Sequence, residues 1–273
     1  MCRGVSSLDA SKFDPKAISR QTIELNEVCE AKSEAAPSWH EVPEAHQPRS
    51  HKRAARYREM RRNGEGSLPK VVVLESGVNF KIPSRDAGRE IPCRLFKPED
   101  GQVKGVMMHL HGGGWVLQGE DWNDELLRWM ADNCGLAVVS IGYRAAGTRA
   151  PLPFRARGLH RRRRMAARPN IELCINTFLP NYTIEQRRDP CISPFYARLS
   201  RGALPPALFI VGAEDPLVDD SIMMAAKCQM SSNEAVLKLY LGAPHGFTFY
   251  PYSDAATSLE DEKTFVSRDE VDI

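Results

Sequence analysis

At 273 residues and 42% hydrophobic content, the chain has enough apolar material for one sizeable α/β domain. Seven scattered cysteines, odd in number and without a Cys-x-x-Cys pair, exclude a disulfide framework and a cysteine zinc site. With no apolar signal core at the start and no apolar run long enough to span a bilayer, neither export nor membrane insertion is expected, and the cytoplasm is the expected setting. The net charge of +2 is a local anomaly, because Arg155, Arg157, Arg161, Arg162, Arg163, Arg164 and Arg168 stand in one stretch with no acid, so the rest of the chain is net acidic.

Residues 1–68 form a polar, irregular extension with candidate cap helices, of which Arg56–Arg62 predicts a short one. His40, His46 and His51 lie among prolines and charges without the convergent spacing that a metal needs, so no metal site is expected. Residues 69–144 are predicted as the first half of an α/β domain. In it Gly105–Leu110 predicts a short buried strand that runs into His111-Gly112-Gly113-Gly114-Trp115. Glycines there leave backbone N–H groups unobstructed, and such groups stabilise a tetrahedral oxyanion. Next, Asn123–Ala131 has apolar residues at helical spacing, with Trp129 on the core side.

After an Arg-rich junction, 145–170, residues 171–273 read as the second half of the domain, opening with two helical stretches, 171–180 and 183–188. Ala207–Gly212 is a second strand, and it ends just before Asp215, at the strand edge where α/β sheets place functional groups. A third strand, Val236–Tyr240, leads to Pro244-His245-Gly246-Phe247, a turn with a histidine at its tip. Ala255–Val266 reads as a terminal helix. Taken singly, the glycine loop is a turn before a helix, Asp215 a helix cap and His245 a surface histidine. Taken together, glycine loop, Asp and His follow the order of an α/β-hydrolase site.

On these segments, with Ile82-Pro83-Ser84-Arg85-Asp86, Val138–Arg144 and Asp189-Pro190-Cys191-Ile192-Ser193-Pro194, residues 69–268 resemble the hormone-sensitive-lipase-like α/β-hydrolases, the carboxylesterases with an His-Gly-Gly-Gly loop. The resemblance implies a mostly parallel sheet flanked by helices, oxyanion donors at Gly113 and Gly114, an acid at Asp215 and a base at His245. It implies no cofactor and no metal, and a small-molecule ester as substrate. The family's serine, in a Gly-x-Ser-x-Gly elbow, maps onto nothing, because this chain contains no such motif. Ser140 lies inside a strand and Ser193 precedes Pro194, so neither occupies a strand-to-helix elbow. The nucleophile strand, its helix and the strand after it, which are central in the family's sheet, are therefore expected to be missing. The surviving strands, ending at Leu110 and Gly212, should then pair directly or face an irregular gap.

The junction carries its own explanation. If Gly158–Met165 is encoded GGA CTG CAT CGA CGC CGC CGA ATG, reading one base along gives Asp-Cys-Ile-Asp-Ala-Ala-Glu, residues the family resemblance implies there. The sequence thus predicts a family segment translated out of frame over roughly 145–169, with the reading back in phase near Ile171. Two rivals stand beside an inactive esterase. One is a non-catalytic hydrolase relative that binds a small ligand. The other, a nucleic-acid-binding protein, rests on the arginines alone, without aromatic interleaving, and no nucleic-acid partner is expected.

Overall fold

A computed structural model describes residues 14–35, 58–65, 69–84, 87–115, 118–143, 171, 174–176, 178–179 and 181–268. The Arg-rich junction and His40, His46 and His51 lie outside the described residues. In chain order the elements are α1 (Arg20–Ala35), β1 (Val78–Pro83), β2 (Glu90–Phe96), β3 (Gly105–Leu110), α2 (Asp124–Cys134), β4 (Leu136–Ile141), β5 (Ala207–Gly212), α3 (Val218–Met230), β6 (Ala235–Tyr240) and α4 (Ser253–Ser267). Residues 58–63 and 184–187 add short helical turns. No helix among the described residues is long and apolar enough to cross a membrane.

The chain divides into two units. In one, four strands form a sheet in the order β1-β2-β4-β3, with β1–β2 and β2–β4 antiparallel and β3–β4 parallel. Strand alternation sends Arg94, Phe96, Met107, Leu136, Val138 and Ser140 to one face of this sheet, and α2 covers that face. Phe96 and Val138 pack there with Leu127, Met130, Ala131 and Cys134 of the helix, all buried. Full burial of each large side chain contributes roughly 1.5–3 kcal/mol. The spacing of Leu127, Met130, Ala131 and Cys134 is the amphipathic stripe expected of this helix, and Trp129 packs against its core as the sequence predicts.

On the opposite face every residue of the four strands is apolar, from Val78, Phe80 and Ile82 on β1 to Val106, Met108 and Leu110 on β3. Here the structure corrects the sequence reading of β3 as a buried strand. Its bounds are as predicted, but Val106, Met108 and Leu110 are 75%, 68% and 62% exposed. An α/β strand is apolar on both faces because it is built to be covered on both, so the run itself does not report whether the cover is there. No described strand pairs with the outer edge of β3.

In the second unit β5 and β6 pair in parallel as a two-stranded sheet, with α3 connecting them. The strands ending at Leu110 and Gly212 therefore belong to different sheets and do not pair with each other. A further correction concerns the N-terminal extension, which is not irregular throughout. Arg20–Ala35 is a helix of four turns, capped by Ser19, whose Oγ accepts the Thr22 N–H at 3.1 Å.

The open β3 strand carries neither charge nor proline to guard its edge. Met108→Lys is expected to lower concentration-dependent light scattering while leaving the thermal midpoint unchanged within about 2 °C, because the side chain loses no packing. Unaltered scattering, or a large fall in the midpoint, would show that Met108 is covered in solution.

Candidate active site

At the end of β5, backbone geometry brings two turns together. Gly212 passes so close to the turn after β6 that a Cβ on it would lie 2.1 Å from the Ala243 carbonyl oxygen. Only glycine fits this crossing. The Ala213 N–H donates to the Tyr240 carbonyl at 2.8 Å and the Glu214 N–H to the Ala243 carbonyl at 3.1 Å, which locks the two turns in register.

Asp215 and His245 meet at this junction, with His245 Nδ1 2.9 Å from Asp215 Oδ2. The carboxylate oxygens divide their work. Oδ1 accepts the Leu217 N–H at 2.8 Å and closes the turn into α3, while Oδ2 holds the imidazole. Asp215 thus closes the helix start with one oxygen and meets His245 with the other. Asp215 is buried and the His245 side chain is 43% exposed. With Nδ1–H donating to the carboxylate, Nε2 carries the lone pair and is free to take a proton.

In the other unit, the chain leaves β3 through the glycine loop. Gly113 at φ +100° and Gly114 at φ +59° both need glycine, and a Cβ on Gly113 would also lie 2.8 Å from the Gln118 backbone nitrogen. Loop carbonyls are drawn inward. The Tyr143 hydroxyl donates to the His111 carbonyl at 2.7 Å, the His111 ring stacks on Tyr143 at 4.1 Å, and its Nδ1–H donates to the Gly112 carbonyl at 2.9 Å. Among the described residues, nothing accepts a hydrogen bond from the Gly113 or Gly114 N–H. Tyr143 was legible in the sequence only as part of a matching segment; its hold on the loop depends on the parallel β3–β4 pairing.

Three other groups resemble nucleophiles and are not. Ser140 Oγ lies 3.0 Å from His109 Nδ1, but the serine is fully buried inside β4. The Asn123 amide sits 3.3 Å from His109 Nε2 and donates to it, which leaves the proton on Nδ1, so Ser140 accepts from the imidazole. A nucleophile must instead give its proton to the base. Cys174 packs against Gly114, and burial pushes its thiol up, so it stays protonated and poorly reactive. Ser193 precedes a short 3-10 turn, Pro194–Tyr196, and is no elbow either.

A family model described as alpha/beta hydrolase fold matches the chain over residues 107–156 and 148–249, together more than half of its length. The chain belongs to the α/β-hydrolase family. Esterases are among its relatives. It is 35% identical over 80 residues to an arylesterase of Saccharolobus solfataricus, a match covering 29% of this chain and 25% of that protein. It is also 35% identical over 71 residues to an ethyl acetate hydrolase of Pseudomonas putida, covering 25% of this chain and 22% of that one. The matches thus span about a quarter of these relatives' length. A solved hormone-sensitive lipase from a metagenome library shares the hydrolase fold at a TM-score of 0.68 and 17% identity, covering 92% of this chain and 98% of that one.

The half-buried His109 gives the folded chain a pH-dependent stability. Burial, and then the charge of His111, lower its pKa from 6.5 to about 4. Between those values the unfolded chain binds a proton that the folded chain refuses, so the stabilisation is complete above pH 6.5 and is lost as pH falls toward 4. The loss should be on the order of 2–3 kcal/mol in denaturant titrations. Replacing His109 with Gln, which does not titrate, should flatten the slope; an unchanged slope would place its origin elsewhere.

Proposed function

We propose that this chain is a carboxylic ester hydrolase that has kept its oxyanion donors, its acid and its base but lacks its nucleophile, and is therefore inactive. The observation that carries the reading is the 2.9 Å His245–Asp215 bond with Nε2 left free, in a chain that has no Gly-x-Ser-x-Gly. The unengaged Gly113 and Gly114 N–H groups support it, as does the family match, which divides into two overlapping parts at residues 148–156, within the Arg-rich junction.

In a chain that carried the elbow, the serine hydroxyl would attack the ester carbonyl while His245 Nε2 took its proton. Asp215 would hold Nδ1–H and stabilise the imidazolium, and the Gly113 and Gly114 N–H groups would stabilise the oxyanion. Collapse of the intermediate would expel the alcohol, protonated by His245, and water would then release the acid from the acyl-enzyme by the same route. Short- to medium-chain carboxylic esters are the proposed substrate class and the cytoplasm the proposed setting, the latter on the odd, scattered cysteines.

Loss of the segment that carries the serine accounts for the uncovered strand. The deleted central strands would have paired with β3 and their helix would have covered Val106, Met108 and Leu110. The rival reading, a non-catalytic ligand-binding relative, requires a pocket closed by those same strands.

On p-nitrophenyl acetate and butyrate, the protein is expected to be no faster than its His245→Ala variant, since loss of the nucleophile alone costs about a millionfold in the serine protease subtilisin. Turnover that disappears on His245→Ala would reveal a nucleophile and overturn the proposal.

A further inference from the structure

The N-terminal helix packs on the segment that carries His245, and it does so with polar side chains along one face. Thr22 is fully buried, and its Oγ1 donates to Asp254 Oδ2 at 2.5 Å. One turn on, Asn26 Nδ2 donates to the Gly242 carbonyl at 2.8 Å. A turn further, the Cys29 thiol lies 3.6 Å from the Tyr250 hydroxyl, to which it donates. Before the helix, Ile18 lies against Gly242, where a Cβ would come within 2.6 Å of its Cγ2. The Ser253 N–H donates to Gln21 Oε1 at 3.0 Å. Residues 22, 26 and 29 share a helix face.

These contacts bracket His245. Gly242 precedes it, while Tyr250, Ser253 and Asp254 follow it. Gly242 and Gly246 both sit at φ +70°, so the backbone on either side of the histidine adopts conformations that few other residues hold. The imidazole itself is half-exposed and is tied by its bond to Asp215. A ring held by one bond on a glycine-flanked turn depends on what fixes the turn.

We propose that α1 is a brace for the histidine turn, with Thr22 and Asn26 as positioning residues that keep His245 Nδ1 on Asp215. That His245 and Asp215 are catalytic rests on the hydrolase reading above, whereas the brace rests on geometry alone. Asn26 acts through the Gly242 carbonyl and Thr22 through the Asp254 carboxylate, and neither touches the imidazole.

The test uses the full chain with 15N-labelled histidine, in which the His245 Nδ1–H resonance is identified by its loss in His245→Ala. Asn26→Ala and Thr22→Val should each speed exchange of this proton with water by about tenfold, as expected for one lost hydrogen bond opening a local segment. Thr22→Ser, which keeps the hydroxyl, should restore slow exchange. Arg20→Ala, at a position 91% exposed on its side chain, should leave exchange as it is. Thermal midpoints and helix content are read in parallel. Unchanged exchange in both Asn26→Ala and Thr22→Val, or equal acceleration by Arg20→Ala, overturns the brace, as does a wild-type chain without a protected Nδ1–H. If Asn26→Ala does not fold, the Thr22→Val and Thr22→Ser pair decides. No substrate enters the measurement, so its failure leaves the hydrolase reading standing, while an inactive elbow-restored chain would sink that reading and leave the brace.

Discussion

The four-stranded sheet depends on one buried ion pair. Arg94 and Asp124 are 3% and 0% exposed on their side chains, and every N–H of the guanidinium is used. Nε donates to Asp124 Oδ1 at 2.9 Å and Nη2 to Oδ2 at 2.7 Å and to the Leu74 carbonyl. Nη1 donates to the Gly77 carbonyl at 3.1 Å and to Asn79 Oδ1 at 2.8 Å. Asp124 Oδ2 also accepts the Leu74 N–H at 2.8 Å. A single arginine on β2 thereby ties the start of β1, the turn before it and the first residue of α2. Burying two charges is favourable only with such complete pairing, and removing one partner typically costs about 3–5 kcal/mol. The clamp also matters to the glycine loop, because it fixes the helix into which the loop's chain runs.

That clamp organises one face of the sheet, and the other face carries exposed apolar side chains. The covered side is closed by α2, whereas no described strand pairs with the outer edge of β3 and the side chains of Val106, Met108 and Leu110 are exposed. A six-residue apolar strand in that state is at odds with the logic of an α/β sheet, in which central strands are paired on both sides and covered on both faces. The proposed loss of the nucleophile strand, its helix and the strand after it would account at once for the open edge, the absent elbow and the division of the described strands into a sheet of four and a sheet of two.

How much was legible in the sequence differs by kind of feature. Strands with continuous apolar runs were placed within two residues of their observed bounds, and Asp215 and His245, which meet in the structure, were singled out because each follows such a strand at a turn. The docking of α1 was invisible, since it is made by Thr22, Asn26 and Cys29 and leaves no apolar stripe for periodicity to detect. Arg94 and Asp124 stand thirty residues apart, with nothing local to link them. The exposure of β3 was illegible for a different reason: burial is set by what covers a strand, and an apolar run looks the same with or without its cover. The glycine loop gave its N–H groups away by composition, but the tyrosine that draws its carbonyls inward could be placed only once β3 and β4 were paired.

Whether the nucleophile segment was lost through a shift of reading frame is answered most directly by the coding DNA between the codons for Arg144 and Ile171. Read one base along, it should continue without interruption from Leu-Ala-Pro-Glu to Asp-Cys-Ile-Asp-Ala-Ala-Glu-Trp, with a Gly-x-Ser-x-Gly elbow in the adjoining sequence. A stop codon within a few residues of the shifted frame, or neighbouring DNA without an elbow, would contradict the frameshift and leave a genuine non-catalytic protein in its place.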